Sequence, residues 1–334
     1  MLILGIESSC DDAAAAVLET YQPGRARIRS SVVANQDDVH AAYGGVVPEL
    51  ASRNHVMVMA PVIERAIRQA EVGLDEIDAI AVTRGPGLVG SLLVGLMCAK
   101  GLAQRLRRPL VGVNHLEGHL LAPLLEHEVA MPFLALVASG GHTALFAVED
   151  FGCYRTLGRT RDDAAGEAFD KVAKLMALGY PGGKLIDEMS ARGDQRKIKL
   201  PRARVKQAPL DFSFSGIKTA VALFLESPDG ARTRREDLAA SFQEAVVDML
   251  VTPTMAAARA LEVPVIALSG GVAANRRLRQ RLSDAAQAEG RRLIAPAFQY
   301  CTDNAAMIAM AGSYRLLRGE SDSLSIDAEA NLPL

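Results

Sequence analysis

Tryptophan is absent from the 334 residues, and aromatic residues make up only 4%. Packing must therefore rest on Val, Ile, Leu, Ala and Met, and nucleic-acid modules that stack bases on interleaved aromatics are unsupported. There is no excess of positive charge. The net charge is −2 and the pI about 6.3, so any nucleic-acid contact has to come from local patches. Paired cysteines are missing too: Cys10, Cys98, Cys153 and Cys301 are scattered and form no CxxC, which suits a reducing cytosol. No apolar run reaches the roughly 18 residues of a membrane helix. The opening MLILGIESSCDD has no basic stretch and turns acidic at once, unlike a signal peptide. A cytoplasmic location without membrane attachment is expected. No Walker A motif occurs.

What is present is apolar and regularly punctuated. Hydrophobic residues are 49% and charged residues 23%, enough for a buried core, and the length suggests two domains. Residues 2–6 (LILGI) form a buried strand, followed by a polar loop from Glu7 to Asp12 and a return strand over 13–19. Leu50, Val58, Val62, Ile63 and Ala66 put a helix over 49–69. A strand over 78–83 runs through Arg84-Gly85-Pro86-Gly87 into a helix over 89–106, an α/β signature. The opening layout recurs mid-chain, with strand 133–138, loop Ser139 to Thr143 and return strand 144–148. A further strand, from Val265, runs into Ser269-Gly270-Gly271 and a helix from about Asn275. The layout suggests a duplicated two-lobed protein. Pro201 to Pro209 reads as a basic linker, and Pro253 falls inside a helix over 236–261.

Several groups carry chemistry, and each has a plainer reading. His115 and His119 stand at i and i+4, so on a helix both rings face one side and can share a metal. They can equally be two core or surface histidines. The pair is not a protease helix. In H-E-x-x-H the base follows the first His, and in the inverted form it precedes the second. Glu117 takes neither place and faces away. A third ligand is required. Asp303 begins an apolar helix and can supply it, though an acid there can also be an ordinary N-cap. The Ser-Gly-Gly loops at 139–141 and 269–271, with Gly182-Gly183, let backbone N–H groups approach a phosphate, or are merely turns. Asp170 can reach ribose hydroxyls, but on its pattern alone a solvated face with Glu167–Lys171 and Asp170–Lys174 pairs is preferred. Residues 192–206 and Arg276, Arg277, Arg279 and Arg281 are basic clusters, either solvated or touching RNA phosphates.

Taken together, the blocks GIESSCDD (5–12), HAAYGGVVPELASRNH (40–55), GPGLVGSLLVG (85–95), NHLEGHLLAP (114–123), ASGGHT (138–143), DDAAGEAFDKVAKL (162–175), YPGG (180–183), DFSFSGIKT (211–219), SGGVAANRRLR (269–279) and CTDNAAMIA (301–309) resemble the TsaD family of tRNA adenosine threonylcarbamoyltransferases. They run in order over nearly the whole chain. Ala13 departs from the pattern, since relatives often have Thr there.

The resemblance implies a two-lobed actin/Hsp70/hexokinase-type α/β fold with a nucleotide cleft. The lobes are expected at 1–112 plus 305–334, and at 113–304 with the metal and nucleotide sites. It implies one divalent metal per chain, Fe(II) favoured and Zn(II) admissible, on His115, His119 and Asp303. Val137, Ala138, Ser139, Gly140, Gly141, Asp170, Gly183, Asp187 and Asn275 are expected to bind the adenylate. The implied reaction moves the threonylcarbamoyl group of threonylcarbamoyl-AMP to the N6 amine of the adenosine 3′ of the anticodon (position 37) in tRNAs reading ANN codons. A TsaB-like paralogue and a TsaE-like ATPase are the implied partners. Asp11 or Asp12 is the candidate proton acceptor. A metallopeptidase would need a glutamate in register with the histidines. A catalytically silent scaffold of the same fold would be expected to lose the His pair or Asp303, and a sugar or acetate kinase would not need them.

Overall fold

The apolar runs at 2–6 and 133–138, each closed by a polar loop and a return strand, become the middle strands of two five-stranded sheets. The structure, a computed structural model, describes residues 1–334. It divides into one unit of Met1–Glu128 with Pro296–Leu334, and another of Val129–Ala295.

In the first unit β1 (Leu2–Glu7) is buried along almost its whole length. It pairs antiparallel with β2 (Ala13–Gln22), which pairs antiparallel with β3 (Arg25–Ala34). After the short α1 (Asp37–Ala41) comes α2 (Pro48–Ala70). Pro48 begins α2, where its missing N–H costs nothing. The buried side chains Ala51, His55, Met59, Val62, Ile63, Ala66 and Ala70 recur at helical spacing along one stripe. Burial of each full-sized apolar residue of this core contributes about 1.5–3 kcal/mol. β4 (Ala79–Gly85) lies parallel to β1, and α3 (Val89–Leu106) carries the chain to β5 (Leu110–Asn114). The sheet order is β3-β2-β1-β4-β5. The last strand feeds directly into α4 (His115–Leu121).

The second unit repeats the plan. β6 (Phe133–Ala138) pairs antiparallel with β7 (Thr143–Asp150), and β7 with β8 (Cys153–Arg159). Then follow α5 (Ala165–Leu175), α6 (Gly182–Ser190), α7 (Ser215–Glu226), α8 (Pro228–Arg232) and the long, mostly buried α9 (Arg235–Leu261), with Pro253 inside it. β9 (Val265–Ser269) lies parallel to β6, α10 (Arg276–Ala288) follows, and β10 (Arg292–Ile294) lies parallel to β9. The order β10-β9-β6-β7-β8 has the same pairings as the first sheet.

The chain then returns to the first unit as α11 (Ala305–Leu317), whose residues from Ala305 to Tyr314 are all buried. Small side chains permit the contact. A Cβ on Gly5 would stand 2.1 Å from the Ala305 carbonyl oxygen, and one on Gly312 would stand 2.9 Å from Ala81 Cβ.

Two expectations change. The units divide after Glu128 and after Ala295, not at 112 and 304, so His115, His119 and Asp303 all belong to the first unit. The reason is that α4 and α11 pack on each other. Strands β3, β8 and β10 also join the sheets. They are half-exposed edge segments in which charged and apolar residues mix, so no continuous apolar run marks them.

Candidate active site

Asn114 ends β5 and caps α4, its Oδ1 accepting from Leu116 N at 2.9 Å. The cap sets the helix phase, so the i, i+4 pair points one way. The two imidazoles lie edge to face, with centroids 4.7 Å apart. Gly118, between them, has no side chain to hold α11 off. A Cβ there would meet Ile308 Cδ1 at 2.8 Å and Met307 Cγ at 3.1 Å. The approach brings up Asp303. Its Oδ1 is 3.2 Å from His119 Nε2 and 3.6 Å from His115 Nε2, and the three ligand atoms lie within 4.8 Å of one another. Asp303 is not the N-cap of α11. Asn304 is, accepting from Met307 N at 3.0 Å, which leaves the aspartate outside the capping role.

The three residues fit a cation. Both ring nitrogens of His119 are buried and make no hydrogen bond, Nε2 having only its ionic contact with Asp303, a costly state for an imidazole without a ligand. Bonds of ~2.1 Å at tetrahedral angles put ligand atoms about 3.4 Å apart, between the two separations from Asp303 to the histidines. Electrostatics agrees. Burial pushes the His115 pKa down, but the Asp303 and Glu7 carboxylates more than reverse this and carry it up to about 9. The pocket thus favours positive charge, which a proton or a metal ion supplies.

Sequence reasoning missed Glu7. It is fully buried at the end of β1. Its Oε2 accepts from Thr83 Oγ1 at 2.6 Å and lies 3.1 Å from His115 Nδ1, while Oε1 accepts from Ser9 N. Burial would raise its pKa, yet the adjoining His115 holds it below the usual range. A carboxylate on Nδ1 leaves Nε2 free to ligate, the usual arrangement behind a metal-bound histidine. The signal available was the run of polar residues closing an apolar strand. Glu117 is not in the ligand set. It is buried and accepts from Tyr314 Oη at 3.0 Å.

Asp11 and Asp12 sit on the loop after β1. Burial, followed by the charges of Asp303, Asp11, Asp37 and Glu7, pushes the Asp12 carboxyl up to about 8. The loop is tethered through the Cys10 carbonyl, 2.8 Å from His55 Nε2.

In the second unit Val137 and Ala138 end β6, and Ser139 closes a tight loop. Ser139 N donates to the His142 carbonyl at 2.7 Å, and Ser139 Oγ accepts from His142 N at 3.1 Å. The start of α5 presses against the loop, with Gly166 N donating to the Ser139 carbonyl at 3.1 Å. A helix N-terminus and loop amides thus meet, an anion-favouring combination. A Cβ on Gly140 or Gly141 would find open space, and one on Gly183 only Phe169 Cβ at 4.0 Å. Asp170 accepts from Gly182 N at 2.8 Å, which fixes the turn beside Gly183. The Glu167–Lys171 pair is present at 2.7 Å. Asp187 is ion-paired with Arg276 at 2.7 Å. Asn275 caps α10 through Leu278 N at 2.9 Å and donates to Gln243 Oε1 at 2.7 Å, so its amide serves the fold at both ends. The second Ser-Gly-Gly loop is a packing device. Gly270 has φ +88°, and a Cβ on it would stand 2.3 Å from the Ala138 carbonyl oxygen.

A family model described as "TsaD: tRNA N6-adenosine threonylcarbamoyltransferase" matches residues 27–310. The chain belongs to the TsaD family. Its relatives include the tRNA N6-adenosine threonylcarbamoyltransferase of Syntrophotalea carbinolica, 52% identical over 100% of this chain and 97% of that one. Another, from Anaeromyxobacter sp., is 54% identical over 98% of each. As a member of this family the chain is a transferase acting in tRNA modification. Among solved structures, the activator of 2-hydroxyisocaproyl-CoA dehydratase from Clostridium difficile matches with TM-score 0.55 at 13% identity, over 98% of this chain and 100% of that one. Full-length HypF matches with TM-score 0.61 at 12% identity, over 96% of this chain and 47% of that one. These two share the actin/Hsp70/hexokinase-like α/β fold with the chain. No helix is long and apolar enough to cross a membrane.

Proposed function

We propose that the chain transfers the threonylcarbamoyl group from threonylcarbamoyl-AMP to the N6 amine of adenosine 37 in tRNAs reading ANN codons. The observation that carries this reading is the convergence of His115, His119 and Asp303. In the reaction the nitrogen lone pair attacks the carbamoyl carbon, the bond from that carbon to the phosphate oxygen breaks, and AMP leaves with the bonding pair. The amine gives up one proton.

His115, His119 and Asp303 hold one divalent cation, Fe(II) by preference and Zn(II) as the alternative, given two imidazoles and one carboxylate. A bound cation with open positions supplies Lewis acidity to the carbamoyl carbonyl. Glu7 keeps the His115 ring in register through Nδ1. In the second unit the backbone from Val137 to Gly141, with the start of α5, receives the adenylate phosphate and steadies the charge on the leaving group. Gly183 leaves room for the nucleotide, and Asp170 and Asn275 hold the surrounding turns in place. Asp187 is assigned to the nucleoside, with Arg276 as its present partner. Asp11 or Asp12 is assigned to accept the amine proton. No covalent enzyme intermediate is required. A TsaB-like paralogue and a TsaE-like ATPase are the proposed partners, and the cytoplasm the proposed location.

The deciding experiment incubates the metal-loaded chain with threonylcarbamoyl-AMP and unmodified tRNA, with and without the partners, and analyses nucleosides by mass. Threonylcarbamoyladenosine at position 37 is the expected product. Its absence under every combination, or a trapped acyl-enzyme, overturns the proposal or its direct-transfer step respectively.

A further inference from the structure

Two basic stretches far apart in the sequence share one groove of the second unit. Residues 192–206 carry seven cations and a single aspartate, and Arg276–Arg281 four arginines. Either alone reads as a solvated face. The fold places Arg196, Lys199 and Arg202 from the first stretch beside Arg277 and Arg281 of α10, lining a groove of about 570 Å³. Its two carboxylates, Glu244 and Asp248, come from α9.

The carboxylates order the arginines without cancelling them. Glu244 is buried and takes Arg277 through Nε at 2.6 Å and Nη2 at 3.0 Å, and also accepts from Arg281. Asp248 takes Arg281 Nη2 at 2.9 Å and Arg202 Nε at 3.0 Å. Three guanidiniums thus share two carboxylates. Arg196 and Lys199 are exposed, enter none of these pairs, and add two further charges. The lining therefore holds five cations against two anions. Guanidiniums fixed in advance lose little freedom on binding, and their planar forks match phosphate oxygens.

We propose that this groove binds the sugar-phosphate backbone of the tRNA. The lining has no aromatic residue on which a base could stack, and Ile198 is its one apolar side chain, so a free mononucleotide would find no wall for its base. Charge without base-reading groups fits a continuous polyanion, bound independently of sequence. None of the residues assigned to the adenylate lines the groove. The inference rests on the tRNA-modifying reading and adds where the substrate's phosphates are held.

The test measures binding of unmodified tRNA by the full chain, alone and with its partner proteins, over about 50–200 mM salt. R196E/K199E removes the two cations outside the ion-pair network, so the fold is retained. Its Kd is expected to rise about tenfold or more, and the slope of log affinity against log salt to shrink by about two. In turnover, KM for tRNA rises while KM for the donor stays. Q195R, which adds a cation to the same lining, is expected to tighten binding and steepen the slope. R105E/R232E makes the same charge change on exposed residues elsewhere and serves as the control. If the groove variant matches the control in Kd and slope while the wild type binds and modifies tRNA, the groove assignment alone fails. Loss of a partner protein with unchanged tRNA affinity also overturns it, in favour of an acidic protein surface. If the wild type neither binds nor modifies tRNA, the underlying reading fails, and the groove assignment with it.

Discussion

Strand β1 runs into buried Glu7 and a loop closed by Asp11 and Asp12, whereas β6 runs into Ser139 and a loop of two glycines. The flanking pairings match strand for strand. One backbone device therefore serves opposite chemistries. In the first unit the tip is crowded with carboxylates and imidazoles, and side chains present the polar atoms. In the second the tip carries two glycines, a Cβ on Gly140 or Gly141 would meet nothing, and main-chain N–H groups stand uncovered by side chains there. The difference separates glycines kept for packing from glycines kept for space. Gly5 and Gly270 are the first kind, Gly140 and Gly141 the second.

The largest break in the comparison should come from removing a first-unit ligand. His119→Ala is expected to reduce bound metal from one per chain to a small fraction, read by elemental analysis. Modification should slow about a thousandfold, ~4 kcal/mol of barrier. Retention of stoichiometric metal would separate the histidine from the cation. Next is a matched pair of glycine substitutions. Gly5→Ala drives a methyl into the Ala305 carbonyl and should cost about 3 kcal/mol in denaturant unfolding. Gly141→Val should cost about 0.5 kcal/mol or less, yet weaken adenylate binding about tenfold or more by calorimetry. Equal effects on stability would erase the distinction between the two kinds.

Glu7→Gln tests the orienting carboxylate. It keeps the shape and one acceptor oxygen, enough for Ser9 N or Thr83 but not both, and removes the charge beside His115, so metal affinity should fall about 10–100-fold in chelator competition. Unchanged affinity would reduce Glu7 to a packing residue. The smallest effect is acid dependence in the second unit. Burial alone would raise the Asp162 pKa, but hydrogen bonds from Ser213, Phe214 and Ser215 hold it below the ordinary 3.8. A depressed carboxylate pKa contributes stability that is full above the unfolded value and is lost as pH falls through the folded one. Asp162→Asn should therefore lower stability at pH 7 and flatten its decline between about pH 5 and 3. A decline as steep as that of the wild type would remove Asp162 from the account.

Much of this was readable from near neighbours along the chain. The strands over 133–138 and from Val265, and the helices over 49–69 and 89–106, follow from runs and periods a few residues long, and the structure reproduces them with small shifts. The i, i+4 histidines placed two rings on one side of α4 for the same reason. Their third partner had no such local mark. Asp303 looked like a cap until Asn304 took that role. Glu7, Thr83 and His115 meet only because β1, β4 and β5 are neighbours in one sheet. The two basic stretches were each legible, but their groove was not. Backbone periodicity depends on residues three or four apart and is written into the sequence. Convergence depends on which small side chains let α4 and α11 close to contact distance, and on how far a buried carboxylate such as Glu244 can draw arginines together. Only the folded chain decides those.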